Sequence, residues 1–434
     1  MMIKQKYINH HSMRVLSLVF LFVWMVFIPN PVNAQSPQAE RDVLQNYINL
    51  AIQNNTGLQA GATRVEASRL MRREFGSLGD PMVELEYDVW SRMEPGSRFR
   101  VALMQPLSWF GKLSATRTYY DQRAEAQQYR FEGDVQDLVY QIRTLWYEMH
   151  ELEHHTHLLY DNLETLEQLE SQIMARLESG LGSQIDALRI QIEKKELQNR
   201  IESYYDAIEG LAGRFNALLN RDPDAEIALF YELSPEPIPN RYQHQPAVAE
   251  NPDLRYIDAE TMASQTAEER ARLDGRPDFS VGVGFMNRDL LLGDPERMNG
   301  IELMVRFNLP VYRNQYRARS QRARLETRAL QQQREQLESQ LSGEFFQAKK
   351  SLGSAARQQS LYKENLIPLT EHALELALSQ YAAGAGGFEQ IIQLQRQLLD
   401  LNMSYTTAVI EQNKAIARLD LISGQSSFLS ENDF

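Results

Sequence analysis

Glu178-Ser179-Gly180-Leu181-Gly182-Ser183 and, further along, Ala383-Gly384-Ala385-Gly386-Gly387 each break a long run of helical periodicity with paired glycines. The two stretches stand 204 residues apart, and the same offset carries Pro106 onto Pro310 and Arg214 onto Arg418. Two halves of about 200 residues therefore keep register from a proline, through a helix of roughly 70 residues, to a glycine turn and a returning helix. What needs such a doubled hairpin is the question that organises the rest of the chain.

Upstream of the first glycine pair, Val135, Leu138, Ile142, Leu145, Met149, Leu152, Thr156, Leu159, Leu163 and Leu166 step by alternating threes and fours. That is a coiled-coil seam. At about 1.5 Å per residue, Lys112 to Leu177 extends about 100 Å, longer than a compact core requires. A second seam runs through Phe345, Ala348, Leu352, Ala355, Tyr362, Leu366, Leu369, Ala373 and Leu376, with a kink expected at Pro368. Return helices are expected from Gln184 to about Asn220 and from Glu389 to about Ser423.

Before each long helix the period changes from helical to twofold. Val83, Leu85 and Tyr87 alternate with Glu84, Glu86 and Asp88; Phe99, Val101 and Leu103 alternate with Arg98, Arg100 and Ala102. Glu94-Pro95-Gly96-Ser97 between them is a turn sequence, so two strands form a hairpin over about 82–105. The second half repeats it over about 279–309, with Phe279, Val281, Val283 and Phe285 and then Ile301, Leu303, Val305 and Phe307 as apolar alternates. The repeat offset grows from 196 before this hairpin to 204 after it, and the eight extra residues are expected in the loop around Asn287 to Asn299. If the apolar alternates face lipid, Glu84, Glu86 and Asp88 must face a lumen, because charge against hydrocarbon costs several kcal/mol. Arg98 and Arg100 then face inward as well and can pair with them.

The ends and the composition narrow the setting. Lys4, Lys6 and Arg14 precede an apolar run from Val15 to Ile28, and Val32-Asn33-Ala34 offers a cleavage site, which together read as an export signal over 1–34. The run is too short for a spanning helix. There is no cysteine, which removes disulfides, thiolate metal sites and a lipid-modified N-terminal cysteine. The net charge of −13 argues against nucleic acid and against an anionic lipid surface as partners. The expected organisation is a leader at 1–34, a first repeat at 35–221 with its tip at 179–183, and a proline-rich surface connector at 222–250. A second repeat at 251–424 with its tip at 383–387 and a tail at 425–434 complete it. The fold class is mainly α with a small β part: tandem long coiled-coil hairpins plus two β-hairpins.

One competing motif is His150-Glu151-Leu152-Glu153-His154, which fits H-E-x-x-H on a helix, with His155 and His157 close by. Histidines at i and i+4 can ligate zinc, with the glutamate as base. Met149 and Leu152 occupy the seam, however, which places His150 and His154 off it, on a slender coiled coil without a cleft. A zinc hydrolase is therefore the remote alternative, and a metal contact through His150 and His154 the weaker form of it. A soluble periplasmic coiled-coil adaptor or scaffold is the other alternative, although an adaptor places one helical hairpin, not two, within a small β domain.

The order of elements, together with Gln105-Pro106-Leu107, Phe110-Gly111-Lys112 and Tyr381-x-x-Gly384, resembles the TolC-like outer membrane efflux family over essentially the whole chain beyond the leader. The resemblance implies a homotrimer whose four strands per chain make one twelve-stranded barrel in outer membrane lipid, continued by a helical tunnel in the periplasm. It implies as partners a periplasmic adaptor (membrane fusion) protein and an inner-membrane pump such as a resistance-nodulation-division transporter, with no cofactor and no nucleic acid. Passage through the channel is then passive, and no catalytic residue is implied. The glycine tips, Gly180, Gly182, Gly384 and Gly386, would lie at the periplasmic mouth, with Asp186 and Tyr381 taking part in closing it. Ser183-Gln184-Ile185-Asp186 also reads as a capping box, so Asp186 has a structural role open to it as well. The ion-pair partners found in related gates fall here at Gly386 and Gln390, which cannot pair. Metal-cation cargo, drugs and metabolites all remain open, the first favoured by the acidic balance and the histidine cluster.

Overall fold

The seam that begins before the first glycine pair folds into one unbroken helix. The computed structural model describes residues 37–88, 98–180, 182–229, 234–243, 248–288, 299–426 and 428–429. Helices α1 (Pro37–Asn54) and α2 (Thr56–Phe75) lead into strands β1 (Met82–Asp88) and β2 (Arg98–Leu107), followed by α3 (Lys112–Glu178) and α4 (Gln184–Leu218). The order then recurs as α5 (Pro252–Leu273), β3 (Phe279–Arg288), β4 (Asn299–Phe307), α6 (Arg313–Leu361), α7 (Ile367–Ala382) and α8 (Phe388–Ser423). The expected leader, the Glu94–Ser97 turn and Leu181 of the first tip lie outside the described residues.

Two asparagines stand at equivalent places in the two halves. Asn55 and Asn251 accept from the amides of Leu58 and Asp253, at 3.1 and 2.9 Å, and so cap α2 and α5. Their amide nitrogens donate to Leu218 O and Ile422 O, at 2.9 and 3.1 Å. One side chain thus satisfies the start of one helix and the end of another, joining each return helix to the head of its own half.

α3 is the spine. Nearer the sheet it packs against α2 and α5, and toward the tips against α4 and α8; α6 lies on α5 and then on α8, and α7 lies on α8. The helices therefore form a layer with the order α2-α3-α5-α6 above and α4-α3-α8-α7 below. The expected seam of α3 is buried along most of its length, including Val135, Ile142, Met149, Leu159 and Leu166.

The second seam holds only as far as Ala355. Leu369 and Leu376 are exposed, while Thr370 and Ala377, one residue further on, are buried. The cause is a π-helical turn at Tyr362–Leu366, where Ile367 N bonds back to Tyr362 O. That turn takes up one extra residue and rotates everything beyond it. Pro368, with no N–H to give, follows directly, so the expected kink takes the form of a widened turn.

The two β-hairpins are not separate. β2 pairs with β3, so one antiparallel sheet runs β1-β2-β3-β4, with β1 and β4 as its edges. The eight extra residues of the second half are not concentrated in the loop either. The segments between strands, 89–97 and 289–298, differ by one residue, and Asn287 and Asn299 pair with each other within the strands. The remainder lengthens β3 and the approach from β4 to α6.

At mid-height the connector departs most from expectation. Arg143 on α3 is 1% exposed, and its guanidinium meets Asp420 of α8 at 2.6 Å and Glu236 of the connector at 3.0 Å. Tyr147 donates to Glu236, and Arg241 and Tyr242 both donate to Asp420. Tyr242 and Val248 continue into an apolar cluster with Leu341, Phe345 and Leu419. The tail is anchored too, since the Phe428 ring lies 4.7 Å beneath the Arg143 guanidinium. A connector expected on the surface is thus drawn inward, because the buried charges of Arg143 and Asp420 need partners that α3 and α8 alone do not supply.

Arg143→Ala strands Asp420 in the interior and should destabilise the protein by about 3–5 kcal/mol, read by thermal unfolding in detergent. Glu40 on α1 sits beside this network. Burial first, and then the negative charge of Glu236, push its carboxyl up to about 7. A carboxyl raised in the folded state favours the protonated form, so its contribution to stability is present at acid pH and is lost as pH rises from about 4.5 through about 7. Glu40→Gln should flatten that decline and exceed the native protein in stability at pH 8, by on the order of 1–2 kcal/mol in the same measurement.

Candidate functional site

The two tips are built alike. Gly180 and Gly384 both have φ of +76°, a left-handed turn that ends α3 and α7 at little cost only for glycine. Gly180 N bonds to Leu177 O and Gly384 N to Tyr381 O, each at 3.0 Å. Two residues on, the chain doubles back tightly: a Cβ on Gly182 would lie 2.5 Å from Leu177 N, and one on Gly386 would lie 3.1 Å from Tyr381 N. The return helices start differently. Ser183 Oγ accepts from Ile185 N at 3.2 Å, in place of the Asp186 amide that a capping box would use. Gly387 begins α8 with no side chain to cap it.

Tyr381 and Asp186 come together at these tips. Arg176 donates to Tyr381 O at 2.9 Å and lies 4.6 Å above the Tyr381 ring, which also faces Phe388 at 5.9 Å. Burial raises the pKa of the Tyr381 hydroxyl, the nearby Asp186 carboxylate raises it further, and Arg176 acts against both. Two ion pairs then tie α4 to α8. Arg189 pairs with Glu389, and Arg396 Nε donates to both carboxylate oxygens of Glu193 at 2.8 Å. None of these four residues was among those expected from sequence. Glu193 was detectable, since it shares the face of Ala187, Ile190, Leu197 and Ile201, where a buried acid must have a partner.

At the other end, the sheet has two unlike faces. Val83, Leu85, Tyr87, Leu103, Val283, Phe285, Ile301, Leu303, Val305 and Phe307 share one parity and are exposed. The opposite face carries Glu84, Glu86, Arg100, Glu302 and Arg306. Arg100 pairs with Glu86 and reaches Glu84 at 3.4 Å and Glu302 at 3.8 Å, while Arg306 meets Glu84 at 2.9 Å. Asp88 has the same parity and stands opposite Arg98, but both side chains lie outside the described residues.

The histidines are drawn into packing. His150 is buried, contrary to the off-seam placement expected for it, because α3 has neighbours on more than one side at this height. Its Nδ1 lies 2.9 Å from Trp146 O, and burial pushes its pKa down to about 4. His154 Nδ1 lies 3.3 Å from the Thr406 hydroxyl, His155 Nε2 lies 3.1 Å from Met403 O, and Glu151 accepts from Thr407 at 2.7 Å. Among the described residues, no three histidine or acidic side chains converge as a metal-binding group. No helix among them is long and apolar enough to cross a membrane.

Neither a protein-family model nor a curated protein matches the chain. Solved structures do. The outer-membrane channel OprN matches with a TM-score of 0.74 at 16% identity, over 89% of this chain and 90% of its own. The outer membrane protein VceC of Vibrio cholerae matches at 0.71 with 13% identity, over 90% and 99%. The CmeC outer membrane channel of Campylobacter jejuni matches at 0.71 with 13% identity, over 90% and 88%. The chain has the fold of these channels: long helices in a layer beneath a four-stranded antiparallel sheet.

Gly182→Ala forces a Cβ against the α3 backbone, whereas Gly386→Ala needs a smaller shift. The first should loosen its tip by roughly 1–3 kcal/mol and the second by less, measured as amide exchange across 176–186 and 380–390.

Proposed function

We propose that this chain is the outer membrane channel of a tripartite efflux system and conducts its cargo passively from the periplasm to the outside. The observation that carries the reading is a sheet that is incomplete in two ways. Its outward face is a continuous apolar surface, and its two edges, β1 and β4, have no partner strand within the described chain. A bilayer accepts strands only where every backbone polar group is bonded, which requires closure. Edge-to-edge pairing of β1 with β4 of the next copy closes a barrel, and three copies give twelve strands around a lumen lined by Glu84, Glu86, Asp88, Arg100 and Glu302. The helical layer likewise has free sides at α2 and α6 above and at α4 and α7 below, and the same symmetry closes it into a tunnel about 100 Å long.

The tips are then the periplasmic mouth, where an adaptor docks and an inner-membrane pump delivers cargo. Gly180, Gly182, Gly384 and Gly386 form the turns, and Asp186, Tyr381 and Arg176 hold the two hairpins of one chain together. Arg189–Glu389 and Glu193–Arg396 take the closing role that Gly386 and Gln390 cannot fill. Opening separates α4 from α8, so these pairs must break in it.

The mature protein is expected in the outer membrane fraction, released by detergent as a trimer. Recovery from the periplasm without detergent would overturn the reading. In planar bilayers Arg189→Ala with Glu389→Ala should raise the conductance of the resting channel, and unchanged conductance would remove these pairs from the gate.

A further inference from the structure

The arginines at the head of α6 are not absorbed by the channel reading. Beneath the β3–β4 hairpin, the end of α5 and the start of α6 enclose a groove of about 970 Å³ lined by Arg272, Arg276, Arg313 and Arg317, with Tyr316 and Leu309. The neighbouring acids are already engaged. Asp274 faces Arg319 at 3.8 Å, Asp278 holds Lys112 at 2.8 Å, and Glu268 holds Arg324. Among the described residues, no carboxylate lies within ion-pair distance of Arg272, Arg276, Arg313 or Arg317, and all four are exposed. The equivalent corner of the first half is closed: Arg117 donates to Gly76 O at 2.8 Å, and Phe75 stacks on Tyr120 at 4.8 Å. The overall charge of −13 conceals this local excess of positive charge.

The position of the groove identifies what would neutralise it. Pro277 and Leu309 continue the parity of the apolar outward face, so the groove opens on the side that meets lipid. Phe110 and Phe307 each place a ring 6.2 Å from that of Phe279 just above it, and Phe110 and Tyr312 are exposed. Such aromatics mark the boundary between hydrocarbon and head groups. The edge that a second copy would bring here, α2, is itself net basic, with Arg64, Arg69, Arg72 and Arg73 outnumbering Glu66 and Glu74, so it does not offset the excess of positive charge.

We propose that this groove binds the phosphate head group of an anionic phospholipid in the periplasmic leaflet, the arginines acting as hydrogen-bonding forks to its oxygens. The proposal rests on the membrane placement above. To test it, the purified full-length protein is inserted into vesicles of equimolar phosphatidylglycerol and phosphatidylcholine, re-extracted in mild detergent, and its retained lipid is measured by native mass spectrometry. Phosphatidylglycerol should be retained about fivefold or more over phosphatidylcholine, the scale of one basic residue at an anionic surface. The Arg272→Gln, Arg276→Gln, Arg313→Gln, Arg317→Gln variant should lose that preference, and the matching lysine variant should keep most of it. Absence of a preference in the native protein, or one that survives the glutamine variant, overturns the proposal alone. So does displacement of the lipid by inorganic phosphate at equal concentration, which would mark a free-phosphate site. A glutamine variant that changes trimer content while the native protein shows no preference would make the groove a contact between copies. Failure to enter any vesicle overturns the membrane reading and this proposal together.

Discussion

The fold depends on a buried guanidinium. Helices as long as α3 and α8 pack through apolar seams, and such seams are nearly degenerate along the axis. A slide of one heptad, about 10 Å, sets leucines against leucines again. Arg143 removes that freedom. Its partners Asp420 and Glu236 satisfy it at one axial position only, and any slide leaves charges in the interior without partners. The same contact draws in the connector through Arg241 and Tyr242 and the tail through Phe428, so the two halves are locked at mid-height.

Away from that level, the structure is thin and its ends are open. A single layer of helices buries each of them on two sides at most, which leaves Ile185, Leu188 and Ile192 of α4 and Leu369 and Leu376 of α7 exposed. Among the described residues, two strand edges and one whole apolar face of the sheet are uncovered. These are costs for an isolated chain. The opposite face of the sheet is polar. Glu84, Glu86 and Glu302 converge on Arg100 there, so its charge is partly neutralised within the chain.

The histidine-rich stretch shows how local pattern and tertiary setting part ways. H-E-x-x-H spacing puts His150 and His154 on one side of a helix, as a zinc site needs, but spacing says nothing of what faces them. Trp146 O, Thr406 and Thr407 face that stretch and use the ring nitrogen atoms and the Glu151 carboxylate in helix packing. The tips went the other way. Periodicity and paired glycines located both turns in the sequence, yet the ion pairs that join α4 to α8 needed the structure, since Arg189 and Glu389 are 200 residues apart and unremarkable within their own helices.

By itself the sequence determined what short-range physics controls. Heptad spacing dictated the long helices, twofold alternation the strands and their two faces, and paired glycines the reversals at Gly180 and Gly384. The shared offset, 204 residues from Pro106 onward, established that all of this occurs twice. Tertiary structure decided what depends on distant partners: the β2–β3 pairing that merges two hairpins into one sheet, the register fixed at Arg143, the burial of Tyr242 and Phe428, and the rotation of α7. That last case marks the division clearly. A heptad projected past Tyr362 points Leu369 and Leu376 inward, but one wide turn of backbone before Pro368 delivers Thr370 and Ala377 instead. Side-chain period is read from the order of residues, whereas helix phase is a property of backbone hydrogen bonds, which no side-chain pattern records.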